Sequence, residues 1–142
     1  MRCSRRPTLA ERIAIASDAD VVTARQRART LAIELEMATT DQTLLATAIS
    51  EIARNITTYA SRGEVLIDVV RDALGRPGVR VVARDEGPGI EDVDQALTDG
   101  FTTGGGLGLG LPGARRLVDE FAIDTALGKG TTVTLIKWAQ RV

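Results

Sequence analysis

An acid and an amide lie four residues apart, at Glu51 and Asn55, within the stretch Ser-Glu-Ile-Ala-Arg-Asn of this 142-residue sequence. In a helix, residues with this spacing share one face and lie one turn apart. The amide oxygen of Asn55 could then ligate Mg²⁺, and the carboxylate of Glu51 could take a proton, as in chemistry at a phosphate group. A solvated polar helix face has the same spacing, so the pair alone leaves both interpretations open.

Half of the 14 glycines lie between Gly100 and Gly113. Among them, Gly106-Leu-Gly108-Leu-Gly110 leads directly into a predicted helix. The start of a helix offers unpaired N–H groups and the positive end of the helix dipole, and glycine lets a ligand approach the main chain closely. The run could therefore cradle a phosphate, while a flexible surface loop is the alternative.

Familiar nucleotide-binding motifs do not account for these glycines. Gly108, Gly110 and Gly113 spell G-x-G-x-x-G, but no strand precedes them, as a dinucleotide-binding fold requires. Glycine rather than Ser or Thr follows Gly128-Lys129, which excludes a Walker A motif. The sequence contains no histidine, and this excludes the H-R-D loop of protein kinases, Ser-His-Asp sites and a phosphohistidine on this chain.

Two further turns carry residues that suit a nucleotide base. Asp85 ends a predicted strand and is followed by Gly87 and Gly89. A carboxylate at a strand end could accept a hydrogen bond from an exocyclic amine such as that of adenine, and the glycines would leave room for a flat ring. An Asp-Gly turn is the structural alternative. Gly128-Lys-Gly130, which precedes two threonines, has the alternative of a tight hairpin turn.

Hydrophobic periodicity predicts the elements that must position these residues. Their order is strand, two helices, two strands, glycine-rich loop, helix and two strands. This order predicts an α+β fold with one sheet and helices packed on one of its faces. The predicted ranges are strand 12–16, helices 21–37 and 41–59, strands 64–71 and 79–84, helix 111–120, and strands 122–127 and 131–138.

Residue types also predict how the helices begin and what they bury. Asp18 or Asp20 is expected to cap the first helix, and Thr39 or Thr40 the second. Phe121 is expected on the apolar side of the third helix. The second helix should bury the apolar face Leu45, Ile49, Ile52 and Ile56.

The overall composition is that of one globular domain, residues 1–142, with 44% hydrophobic and 26% charged residues. A net charge of −1 does not favour a nucleic-acid partner. Cys3 is the single cysteine, which excludes an internal disulfide and is typical of a reducing compartment. The longest uncharged run, 100–114, is too short to span a bilayer, so we expect a cytoplasmic protein without a membrane partner.

In their order along the chain, the motifs resemble the N, G1, G2 and G3 boxes of the GHKL, or Bergerat-fold, ATPases. This superfamily includes gyrase, histidine kinases and MutL. The resemblance covers nearly the whole chain and implies a two-layer α+β sandwich with a mixed, mostly antiparallel sheet and helices on one face. The four boxes are Glu51-x-x-x-Asn55, Asp85-x-Gly87-x-Gly89, Gly106-x-Gly108-x-Gly110 and Gly128-x-Gly130-Thr131.

Within this superfamily the sequence is most similar to the RsbT group of small serine/threonine switch kinases. The similarity lies in 48–60, in Asp99-Gly-Phe-Thr-Thr, in Gly108-Leu-Gly-Leu-Pro-Gly, in 116–121 and in Ile136-Lys-Trp. Anti-sigma kinases of the RsbW and SpoIIAB types share the boxes but lack the Gly-Leu-Pro-Gly and terminal Lys-Trp features.

The resemblance implies ATP and Mg²⁺ as cofactors and assigns roles to individual residues. Glu51 would be the general base that activates the attacking hydroxyl, and Asn55 would hold Mg²⁺. Asp85 would bind the adenine amino group, and 91–108 would form a lid over ATP. The remaining nucleotide contacts would come from Gly87, Gly89, Thr102, Thr103, Gly104, Gly105, Gly106, Leu107, Gly108, Leu109, Gly110, Thr131 and Thr132.

The implied function is an ATP- and Mg²⁺-dependent protein serine/threonine kinase in stress signalling. Such a kinase phosphorylates STAS-domain proteins and, once released, activates a PP2C-type phosphatase, which makes it a partner-switching regulator. One alternative is an anti-sigma factor kinase, which would also bind a sigma factor. The other is a nucleotide-gated binding module with little phosphotransfer. The sequence leaves the substrate and the oligomeric state open.

Overall fold

A computed structural model describes residues 10–60, 62–88 and 110–139 of the chain. Within these residues it contains three helices and five strands, in the order that the periodicity predicts. They are β1 (Glu11–Ile15), α1 (Asp18–Glu34), α2 (Thr39–Tyr59), β2 (Gly63–Arg71), β3 (Pro77–Asp85), α3 (Gly110–Leu117), β4 (Glu120–Thr125) and β5 (Thr131–Trp138).

The five strands form one sheet in the order β1-β2-β3-β5-β4, and each neighbouring pair is antiparallel. Strand β3 therefore lies at the centre. Its last residue, Asp85, is paired with Gly63 of β2 on one side and with Thr131 of β5 on the other. The ends of three strands thus meet at Asp85.

Side chains alternate along each strand, so one face of the sheet is apolar and packs against the helices. Buried sheet residues on this face include Ile15, Ile67, Val81 and Leu135. The predicted apolar face of α2 is buried against them, with Leu45, Ile49, Ile52 and Ile56 all nearly inaccessible to solvent. The opposite face of the sheet carries cross-strand ion pairs, including Arg80–Asp68 and Arg84–Glu64. The two-layer α+β fold is therefore confirmed. The expectation of a mixed sheet is wrong for the described residues, because every pair of neighbouring strands there is antiparallel.

The helix ends differ in detail from the predicted ones. Ser17, not an aspartate, is the N-cap of α1, and Asp20 in the first turn accepts the backbone N–H of Ser17 at 3.1 Å. Helix α2 begins at Thr39 after the N-cap Ala38, without a side-chain cap. Helix α3 ends at Leu117, so Phe121 lies on β4, where it still packs against the core.

None of the helices in the described ranges is long and apolar enough to cross a membrane.

Candidate functional site

The carboxylate of Glu51 joins two helices. Its Oε1 accepts a hydrogen bond from the backbone N–H of Gly110 at 2.9 Å, across 59 residues of sequence. Its Oε2 lies 2.9 Å from Nη1 of Arg54, one turn along α2. The side chain of Glu51 is only 11% exposed. Glu51 therefore does not belong to a solvated helix face.

Gly110 is the first residue of α3, and its backbone explains why glycine stands there. Its φ of +67° lies in the left-handed region, which is strained for residues with a side chain. Its N–H is one of the donors that a helix start leaves without an intrahelical partner. Such donors, at the positive end of the helix dipole, favour an anion. In this structure the anion is the carboxylate of Glu51.

Asn55 lies one turn after Glu51 on α2 and is partly buried. Its side-chain amide has no hydrogen-bond partner within the described part of the chain, so its oxygen is available to a ligand. Mg²⁺ usually takes few protein ligands and completes its shell with waters and substrate phosphates. The available amide oxygen of Asn55, one turn along α2 from Glu51, suits such an ion. The described ranges contain no cluster of three or more His, Cys, Asp or Glu residues that could hold a metal alone.

Asp85 lies beside the turn of α2 that carries Asn55. A Cβ atom placed on Gly63 would lie 3.0 Å from Cγ2 of Ile56 and 3.1 Å from Cβ of Asp85, which shows how closely the three residues approach. Oδ1 of Asp85 accepts the backbone N–H of Gly87 at 2.8 Å, so the Asp-Gly turn considered from the sequence is present. This bond occupies one carboxylate oxygen and leaves Oδ2 for another donor.

The two threonines of β5 lie on different faces of the sheet. Thr131 is buried, is paired with Asp85 across the strands, and its hydroxyl lies 2.9 Å from that of Thr125. Thr132 is the next residue along the strand, so it points to the opposite, open face. The structure therefore brings Thr131, but not Thr132, to the helix-facing side beside Asp85.

Several predicted nucleotide contacts lie outside the described residues. The predicted lid, 91–108, also lies there. The contacts concerned are Gly89, Thr102, Thr103, Gly104, Gly105, Gly106, Leu107, Gly108 and Leu109.

Sequence reasoning missed the part that Arg54 takes in this site. The residue lies three positions after Glu51, a spacing at which oppositely charged side chains meet on a helix. That spacing was the available signal. The contact between Glu51 and Gly110 depends instead on how α2 packs against α3, which no local pattern encodes.

A model of one protein family matches residues 40–141, and its description is Histidine kinase-, DNA gyrase B-, and HSP90-like ATPase. The chain belongs to this ATPase family. The match covers well over half of the chain, from the second residue of α2 to beyond β5. It confirms the GHKL superfamily that the order of the boxes predicts.

Curated relatives of this chain are a bacterial serine/threonine-protein kinase and bacterial anti-sigma factors. Serine/threonine-protein kinase RsbT of Bacillus subtilis (strain 168) is 48% identical over 126 residues, which cover 89% of this chain and 94% of the relative. Anti-sigma F factor of Caldanaerobacter subterraneus subsp. tengcongensis is 32% identical over 98 residues, which cover 67% of this chain and 68% of the relative. Anti-sigma F factor of Geobacillus stearothermophilus is 32% identical over 112 residues, which cover 73% of this chain and 74% of the relative. The predicted similarity to the RsbT group is confirmed.

Two solved structures share the fold of this ATPase at low sequence identity. The RsbU and RsbW domains of a Mycobacterium tuberculosis protein match with a TM-score of 0.65 and 22% identity, over 99% of this chain and 35% of that one. The mycobacterial sensor histidine kinase MprB matches with a TM-score of 0.54 and 15% identity, over 94% of this chain and 100% of that one. At these identities the matches support the fold alone.

Proposed function

We propose that this chain is an ATP- and Mg²⁺-dependent protein serine/threonine kinase that phosphorylates a STAS-domain protein and, once released, activates a PP2C-type phosphatase. The observation that carries the proposal is the largely buried Glu51 carboxylate at the first N–H of α3. The 48% identity to a serine/threonine kinase, over 94% of its length, supports the same activity here. We further propose that residues 1–142 act as one domain, in the cytoplasm.

In the proposed reaction, a Ser or Thr hydroxyl of the partner attacks the γ-phosphorus of ATP. Glu51 takes the hydroxyl proton while the new oxygen–phosphorus bond forms, and the bond from the γ-phosphorus to the bridging oxygen breaks to release ADP. Asn55 would hold Mg²⁺, which when bound neutralises charge on the phosphate oxygens. The chain thus contributes mainly positioning and charge neutralisation, which are the usual requirements of phosphoryl transfer.

The proposed adenine site lies at the other end of the nucleotide. Oδ2 of Asp85 would accept the exocyclic amine, since Oδ1 already accepts the N–H of Gly87. Buried Thr131, opposite Asp85 in the sheet, would support the ring from β5. The glycine-rich region 102–109 would contact the phosphates together with the N–H of Gly110.

Similarity also bears on the two alternative functions. Relatives named anti-sigma F factors are less similar to this chain, at 32% identity and about 70% coverage, than the serine/threonine kinase RsbT is. This difference favours a switch kinase over an anti-sigma factor kinase. A nucleotide-gated binding module would use the same residues to bind the nucleotide without transferring phosphate, so it differs from the proposal only in its chemistry.

Transfer of radiolabelled γ-phosphate to a recombinant STAS-domain protein tests the proposal. We expect Mg²⁺-dependent label on Ser or Thr of the STAS protein, and stimulation of a PP2C-type phosphatase by the free chain. Nucleotide binding without any transfer would instead favour the binding module. Stable capture of a purified sigma factor in the presence of ATP would favour the anti-sigma alternative.

A further inference from the structure

The two oxygens of the Glu51 carboxylate have partners of different kinds. Oε1 accepts the backbone N–H of Gly110, and Oε2 accepts from the guanidinium of Arg54, both at 2.9 Å. The Gly110 donor belongs to α3, at the place where the proposed function puts a phosphate. The Arg54 donor belongs to α2, the helix that also carries Glu51, so this contact does not depend on the spacing between the two helices.

The backbone N–H of Gly110 has a single proton, so Glu51 and a phosphate oxygen compete for it. If phosphate takes this N–H, Oε1 of Glu51 is released and becomes free to accept the proton of the substrate hydroxyl. Oε2 can stay on Arg54 during this exchange. Without Arg54, the released Glu51 side chain would be free to change rotamer, and a base misplaced by about 1 Å can lose on the order of 100-fold in rate.

We propose that Arg54 is the positioning residue of the phosphotransfer base. Its guanidinium holds Oε2 of Glu51. When a bound nucleotide takes the N–H of Gly110 away from Oε1, this contact keeps Oε1 facing the start of α3. The inference rests on the proposed function, because it requires Glu51 to be the base. Arg54 acts through Glu51 and contacts neither the nucleotide nor the reacting atoms.

The chain offers a matched control for Arg54. In the pair Arg54–Glu51 the side chains are 47% and 11% exposed, and in the pair Arg80–Asp68 they are 44% and 14% exposed. Both arginines donate to a carboxylate, but the second pair lies on the open face of the sheet, away from the helices. Because the arginine of each pair is nearly half exposed, water can take its place at the carboxylate, so neither Arg→Gln change should unfold the chain.

A double-mutant cycle on the rate of phosphate transfer at saturating Mg-ATP tests the proposal. Arg54→Gln should lower this rate about 10- to 100-fold with nucleotide affinity unchanged, and Arg54→Lys should restore part of it. In the Glu51→Gln background, Arg54→Gln should cause no further loss, because its effect passes through Glu51. Arg80→Gln should transfer phosphate at the wild-type rate.

Three results would overturn the proposal in distinguishable ways. If the double variant loses rate by the product of the two single-variant factors, Arg54 acts independently of Glu51, by contacting the phosphate or the partner protein directly. If Arg54→Gln keeps the wild-type rate while Glu51→Gln is strongly impaired, the base stands and Arg54 does not position it. If Glu51→Gln keeps the wild-type rate, the proposed base is wrong and the role of Arg54 is lost with it.

Discussion

Helix α2 carries one acid near its start and one near its middle, and each connects the helix to another element. Asp41 lies 3.6 Å from Nζ of Lys137 on β5, and the two side chains are 10% and 8% exposed. Glu51 contacts a backbone N–H and an exposed arginine. Separating the first pair would leave a charge in the core. At Glu51, by contrast, water can replace the half-exposed Arg54, and a phosphate can replace Glu51 itself at the N–H of Gly110.

This contrast separates a structural acid from one suited to chemistry. A buried ion pair costs desolvation to form, but removing one partner costs more, because the other charge remains buried. Lys137 also lies 3.8 Å from Oδ1 of Asp119, so the pair belongs to a small cluster between α2 and the end of the sheet. We therefore expect the Asp41 end of α2 to determine stability and the Glu51 region to determine phosphate transfer.

The largest effect should follow from Glu51→Gln. The amide keeps the shape of the side chain but cannot take a proton at neutral pH, so phosphate transfer to a STAS-domain protein should slow by about 10²–10⁴-fold. Nucleotide affinity, measured by calorimetry, and the free energy of unfolding should change little.

Glu64→Gln is a suitable control for that variant, because Glu64 pairs with Arg12 and Arg84 on the open face of the sheet. It should transfer phosphate at the wild-type rate. An equal loss of rate in both variants would mean that general charge, and not the position of Glu51, supports transfer.

A large effect on stability should follow from Lys137→Met. The change leaves the buried carboxylate of Asp41 without its cation, so the free energy of unfolding should fall by about 3 kcal/mol. Urea unfolding measures this loss. Phosphate transfer by the remaining folded protein should stay near the wild-type rate, in contrast to Glu51→Gln.

Adding Asp41→Asn to Lys137→Met removes the unpaired charge and should recover part of the lost stability. If the double variant is no more stable than Lys137→Met alone, packing of the lysine stem, rather than charge pairing, accounts for its contribution.

Local sequence patterns were sufficient for the fold because each element of this chain agrees with its own periodicity. The apolar spacing on α2 placed four core residues correctly, and the predicted strand ranges overlap β2, β3, β4 and β5. The errors lie at boundaries. Phe121 follows the short helix α3 closely, and a helical spacing cannot be distinguished there from the first residues of β4.

The site was predictable to a smaller extent. The four-residue spacing put Glu51 and Asn55 on one helix face, and the chain order of the boxes identified the family. The partners that these acids have on other elements were not predictable, because Gly110 and Lys137 reach α2 only through tertiary packing. The Ile136-Lys-Trp feature illustrates this point: Lys137 faces the helices, whereas Trp138 lies on the open face near Arg76.

A smaller effect should follow from Asp85→Asn. The asparagine can keep the turn through Oδ1 and Gly87, but it replaces the acceptor Oδ2 with an NH₂ donor. The adenine amine would then lack its partner, which costs about 1–3 kcal/mol, or roughly 5- to 150-fold in the Kd for ATP. Calorimetric titration measures the change. Exposed Asp124 on β4 supplies the control Asp124→Asn, and wild-type affinity in both variants would contradict the adenine assignment.

The smallest effect should come from Asp72, whose carboxylate serves only its own turn between β2 and β3. Its Oδ1 accepts the backbone N–H groups of Arg76 at 2.8 Å and Leu74 at 2.9 Å. The hydrogen bond from the Arg76 backbone, with help from that of Leu74, holds the pKa of Asp72 below its ordinary value of 3.8. A carboxyl group with a lowered pKa in the folded state adds stability above its unfolded pKa and loses it as pH falls through the folded one.

Asp72→Ala should therefore lower the free energy of unfolding slightly at neutral pH, and the difference from wild type should shrink below about pH 4. Urea unfolding across a pH series measures this difference. The Asp72 carboxylate contacts only residues of its own turn, and neither Asp41 nor Glu51 is among them. Phosphate transfer should therefore not change. A difference that stays constant with pH would mean that the shape of the side chain stabilises the turn, and that its charge does not contribute.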